Sequence, residues 1–187
     1  MKAANIKRGG GCFSRGKNII IMHISNKCSI AVHCLICIHE FGNDIRITSE
    51  MLSVSSGVNP VTIRGIMSAL KKDGIISVKS GTGGAVLCCP TEEISLYRIC
   101  SAVEPDFLEK LFGIHSSPSQ LCPVGKIIGS VLKTSYDEVA ETLTKSLKSI
   151  TMAEIIRNYK NASGDNNLSV EDVWKCYLSA SGSSGVT

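Results

Sequence analysis

Between Asn59 and Gly74 the chain carries one helix with both of its ends marked. Asn59 is an N-cap residue, and Pro60 falls at the first helical position, where its missing N–H costs nothing. Ile63, Ile66, Met67 and Leu70 then recur at helical spacing and form one apolar stripe. Gly74 supplies the left-handed stop. Val61, Arg64, Gly65, Ser68, Lys71 and Lys72 are left on the opposite face. A helix so strictly two-faced must lie on a core that its flanks provide.

The flanks predict that core. Ser25 to His39 reads as a helix, with Ile30, Leu35 and Ile38 apolar and Cys34 and Cys37 among them, closed by Gly42-Asn43-Asp44. Thr48 and Ser49 are N-cap candidates for a short helix over 49–55, which Gly57 breaks. After Gly74, Ile75 to Lys79 and Ala85 to Cys88 read as strands joined by the hairpin turn Gly81-Thr82-Gly83-Gly84. That turn lacks a Walker lysine and the full dinucleotide-binding spacing, and a strand rather than a helix follows it. A further helix runs from Pro90-Thr91 to about Ala102, with Glu92 and Glu93 in its first turn. Two short helices followed by a hairpin make a winged helix-turn-helix.

The rest of the chain is organised differently. Residues 103–123 read as an irregular loop containing Pro105, Gly113, Pro118 and Pro123. From Val124 a long helix places Ile128, Leu132, Tyr136, Val139, Leu143, Leu147 and Ile150 on one side. A stripe that long exceeds what the winged domain can cover, so a second copy of the chain is its expected partner. Residues 151–160 extend this helix or begin a shorter one, giving a dimerisation region over 124–160. Residues 161–187 read as a linker, a short amphipathic helix around Trp174 and a frayed tail. Residues 1–21 read as a flexible basic arm or an upstream extension, with Met22 a candidate start. The fold class is therefore mainly α with a small β-wing: a winged helix-turn-helix over 22–102 plus a long dimerisation helix.

Charge follows the same division. Residues 1–21 carry five basic and no acidic residues, 22–90 six and four, and 91–187 nine and twelve. A basic front joined to an acidic rear suits a polyanion-binding module attached to a part with another task. Double-stranded DNA is the expected partner. Arg64, one turn into its helix, can take a guanine bidentately, and Pro60, Val61, Ser68 and Lys71 share its edge. Ser49, Asn59 and Lys72 can hold phosphates, while Lys79 and Thr82 touch backbone or minor groove from the wing.

No apolar run is long enough for a bilayer, so no membrane is expected as a partner. The nine cysteines are odd in number and lie in helical segments, which points to a reducing cytoplasm rather than a disulfide scaffold. Cys34-x-x-Cys37, with His33 and His39 nearby, has no second pair to complete a zinc site, and His115 stands alone in a loop. No nucleophile, base and orienting group come together, so no enzyme is expected, and no cofactor. Cys122 precedes Pro123 at the head of the long helix, where helix N-termini can lower a thiol pKa. It is the redox-sensing candidate.

One resemblance is specific. Ser29-Ile30-Ala31-Val32-His33, Asn59-Pro60-Val61 with Arg64, Leu70-Lys71-Lys72-Asp73-Gly74, Gly81-Thr82-Gly83-Gly84-Ala85-Val86-Leu87 and Cys122-Pro123-Val124-Gly125 follow in order. This resembles the Rrf-type (BadM-like) winged-helix transcription regulators of bacteria over roughly residues 22–159. The resemblance implies a homodimer joined through the long helix at Ile128, Leu132, Val139, Leu143 and Leu147. It also implies a repressor that binds a dyad-symmetric operator, its small-molecule or oxidant inducer unidentified. Two departures stand out. Cys88-Cys89-Pro90 lacks the basic residue usual after the wing. Only Cys122 lies between Ala102 and Val124, where cluster-binding members place three cysteines. A competing reading, a protein-interaction module on a winged fold without DNA binding, rests on that lost charge, the acidic rear and the Trp174 helix.

Overall fold

The computed structural model describes residues 25–78, 84–109, 111–115 and 117–164, together with 172, 175 and 177. Six helices and one hairpin appear among them: α1 Lys27–Phe41, α2 Ser49–Ser56, α3 Pro60–Lys72, β1 Ile76–Val78, β2 Ala85–Leu87, α4 Leu96–Val103, α5 Pro123–Ser149 and α6 Met152–Ser163. Residues 1–21, the wing turn 81–83 with Lys79, and Trp174 lie outside the described residues.

Local chemistry sets most boundaries. Thr48, not Ser49, caps α2, its Oγ1 accepting from the Met51 N–H at 3.3 Å. Gly57 ends α2 at φ 66°, in the left-handed region. Asn59 Oδ1 accepts from the Val61 N–H at 2.8 Å and opens α3 on Pro60. Ile63, Ile66, Met67 and Leu70 are all buried, as their spacing requires, and Gly74 follows at φ 77°. β1 and β2 pair antiparallel, with Ile76 opposite Leu87 and Val78 opposite Ala85.

The core joins α1, α2, α3, both strands and α4 around Leu35, Leu52, Ile63, Leu70, Ile75, Ile76 and Ile99. Met152 and Ile156 of α6 are buried in the same core. The helix that the sequence predicts from Pro90 to about Ala102 is split. Thr91–Glu93 form a single 3-10 turn, and α4 starts only at Leu96, capped by Ser95 Oγ. Between them the chain is extended, because Ile94 is fully buried and its carbonyl accepts from the Met152 N–H at 2.8 Å. The Leu96 N–H donates to the Ile150 carbonyl at 2.8 Å, completing a two-residue bridge between Ser95 and Thr151. The same bridge ends α5 at Ser149 and lets Thr151 cap α6.

α5, 27 residues and about 40 Å long, buries no residue. Tyr136 stacks on Phe112 with centroids 4.9 Å apart, and Lys148 Nζ lies 5.0 Å over the Tyr97 ring. Among the described residues no helix is long and apolar enough to cross a membrane.

Candidate nucleic-acid interface

The hairpin fixes how α2 and α3 present their outer faces. The Ala85 N–H reaches the Ile47 carbonyl, and a Cβ at Gly84 would lie 2.7 Å from the Ile47 backbone nitrogen. Glycine at this end of the wing motif therefore serves close approach: only a bare Cα lets β2 lie against the segment entering α2. At the other end, Arg98 Nε donates to Asp73 Oδ1 at 2.7 Å and a terminal nitrogen of the same guanidinium donates to the Asp73 carbonyl at 2.9 Å. This clamp ties α4 to the C-terminus of α3 and holds the Arg98 charge more firmly than usual, chiefly through its hydrogen bond to Asp73.

On that support the outward residues of α3 stay in solvent. Arg64, Gly65, Ser68, Lys71 and Lys72 are exposed, and Val61 is 68% accessible. Arg64 lies 3.3 Å from Glu50 of α2, both side chains more than half exposed. Glu50 is held below the usual carboxylate range, first by its own backbone N–H at the head of α2, then by Arg64, Ser49 and Thr48. Such an exposed pair is weak. It parks the guanidinium over the groove without locking it.

Ser49 Oγ donates to Glu50 Oε1 at 3.1 Å, and Asn59 commits its Oδ1 to the helix cap, so a phosphate would meet the Asn59 amide NH2. Pro60 starts the helix beside them. Arg46, which the sequence reading passed over, lines the same groove as Ser49, Glu50, Arg64, Ser68 and Lys71. Its only sequence signal was a basic residue two positions before the Thr48 cap. Lys79 and Thr82 lie outside the described residues.

The remaining sequence candidates sit apart from this groove. Cys122 is exposed at the head of α5, its carbonyl accepting from the Lys126 N–H. Along α5, Ile128, Leu132, Leu143 and Leu147 are half-buried and Val139 is exposed. Leu121, Val124, Ile127 and Val131 are more exposed than any of these, at 96%, 63%, 58% and 54%. Cys34 is fully buried, Cys37 faces Ser55, and the His39 ring meets Glu40. Among the described residues no three His, Cys, Asp or Glu side chains gather as a metal site. Cys100 is buried against Cys28, whereas Cys122 is exposed at the head of α5.

A helix pair with a buried inner stripe, an exposed basic outer face and an antiparallel hairpin behind it defines a winged helix-turn-helix protein. The profile of the Rrf2 family, described as iron-dependent transcriptional regulators, matches residues 24–158, and the chain belongs to that family. It is similar to YwnA of Bacillus subtilis (strain 168), whose name gives it an inferred role as an HTH-type transcriptional regulator. The two are 31% identical over 135 residues, covering 72% of this chain and 98% of YwnA. Among solved structures it resembles a protein described as a DNA-binding candidate, with TM-score 0.57 and 28% identity over 70% of this chain and 98% of that one. It shares the fold of the T. potens protein IscR, with TM-score 0.55 and 17% identity over 75% and 90% of the two chains.

Proposed function

We propose that the chain is a homodimeric, cytoplasmic repressor that places α3 in the major groove of a dyad-symmetric operator. The observation that carries this is the outer face of α3. Arg64, Ser68, Lys71 and Lys72 are exposed on a helix whose inner face is buried, with Arg46 and Ser49 beside them. Arg64 leaves Glu50 to read a base edge; Ser49, Asn59, Pro60 and Val61 sit at the helix start, and Lys71 and Lys72 meet phosphates. Lys79 and Thr82 extend the contact from the wing. Residues 22–102 form the reading head together with α6, whose Met152 and Ile156 lie in its core, 103–123 the connection and α5 the dimer region.

The exposed apolar residues of α5 support the dimer. Val124, Ile127, Val131 and Val139 face solvent along one side of a helix none of whose residues is fully buried in its own chain. Ile128, Leu132, Leu143 and Leu147 flank them. A two-fold pairing there sets the reading heads about 34 Å, one helical repeat, apart on DNA. Cys122 heads that surface, next to Leu121. Attack of its thiolate on a hydroperoxide breaks the O–O bond, leaves a sulfenic acid on sulfur and releases water or an alcohol. A polar group at the dimer seam then biases operator affinity.

Selection of bound fragments from random duplex DNA tests the reading: a two-fold symmetric motif is the expected outcome, and enrichment of no motif overturns it. Operator affinity with and without peroxide, in wild type and Cys122→Ser, tests the switch. A loss confined to oxidised wild type supports it, and four equal affinities eliminate it.

A further inference from the structure

Behind α2, on the side away from the groove, lies a pocket of about 500 Å³ between α1, α2 and α6. That volume falls in the range of small-molecule sites, about 300–1,000 Å³. Its walls are mostly apolar: Val32, Ile36 and Phe41 from α1, Val54 from α2 and Tyr159 from α6. One polar cluster interrupts them. His33 Nε2 lies 2.8 Å from Ser55 Oγ, and Cys37 Sγ lies 3.8 Å from the same hydroxyl. An apolar cavity with a few convergent polar groups is the usual form of a ligand site.

The lining also narrows the ligand. No lysine or arginine is among the described lining residues, so an anion finds no counter-ion among them. Phe41, Tyr159 and Tyr177 offer ring surfaces, and a sulfur at Cys37 adds a polarisable contact. We infer that this pocket is an effector site for an uncharged aromatic molecule bearing one hydroxyl, which hydrogen-bonds the Ser55–His33 pair. Its route to DNA is short. α2 has eight residues: Val54 and Ser55 at one end wall the pocket, while Ser49 and Glu50 at the other line the groove, Glu50 holding Arg64. Because α2 is one continuous eight-residue helix, a ligand that tilts its C-terminal end shifts Glu50 with it. This coupling rests on the DNA-binding reading above; the ligand site itself does not.

The probe is 2-naphthol, added to the full chain without DNA. Saturable binding with Kd below about 1 mM is expected, with NMR shift changes concentrated on α1 and α2 around Ser55. Filling the pocket from either wall, by Val54→Phe or Val32→Phe in a variant that keeps the wild-type circular dichroism, weakens binding about tenfold or more. At saturating probe, operator affinity changes about fivefold or more. No saturable binding, shift changes that map to the exposed face of α5, or unchanged operator affinity each overturn the inference. A chain that binds the probe at Ser55 but selects no duplex supports the site and removes the DNA-binding reading instead.

Discussion

On the function proposed above, the exposed pair of Arg64 and Glu50 serves recognition rather than stability. At 3.3 Å and more than half in water, the pair is worth little to folding. In the proposed reading it holds the Arg64 guanidinium over the groove before DNA arrives. Arg64→Ala is expected to lose about 1–3 kcal/mol of operator binding and to relax one base position. Lys72→Ala is expected to weaken all sequences alike and to lower the salt slope by about one. Glu50→Gln removes a negative charge from the groove and is expected to strengthen binding to random duplex. Fluorescence anisotropy over a salt series separates the three. At the same scale, burial pushes the Cys34 thiol up to about 12. Iodoacetamide should therefore modify exposed Cys88 and Cys122 in the native chain and spare Cys34, as read by mass spectrometry. Folding favours this thiol in its protonated form, so its contribution to stability is fully present below its ordinary value of 9.0. That contribution is lost as pH rises toward about 12.

At the scale of elements, the reading helix depends on its two ends. Asn59→Ala removes the α3 cap and is expected to cost about 1 kcal/mol of stability, seen as a lower midpoint in urea. Gly84→Ala pushes a Cβ against the backbone of Arg46 and Ile47 and should both destabilise the chain and displace Arg46 from the groove. The discriminating measurement is DNA affinity at a temperature where the variant is still folded. Both ends of α3 were legible because caps and stops are read within one turn. The split at Ile94 was not legible. Glu92 and Glu93 make a good first turn, and only the pairing of Ser95 with Thr151 draws the chain out of helix there. The family resemblance and the winged fold were likewise visible in short motifs. Arg46 was missed because a basic residue in a loop carries no period.

For the molecule as a whole, α5 raises the question of assembly. Val131→Asp places a charge in the middle of its exposed apolar side, 54% accessible in one chain. It is expected to give a monomer by sedimentation, to leave circular dichroism unchanged and to weaken operator binding through the lost second half-site. A monomeric wild type would remove the dimer from the proposal. Gly125→Ala gives a second test, because a Cβ there would run into the Ser119 carbonyl and lift the loop that carries Leu121 and Cys122 from the head of α5.

The sequence alone determined the features whose causes are local: the capped helix at Asn59, the stops at Gly57 and Gly74, and the apolar periods of α1, α3 and α5. A side chain and a backbone group a few residues apart meet in almost any fold. Tertiary structure alone decided the rest: which chain segments bridge at Ser95 and Thr151, which acid faces Arg64, and that His33, Ser55 and Tyr159 share one pocket. Those partners are distant along the chain, and only the shared burial of Leu35, Ile63 and Met152 brings them together.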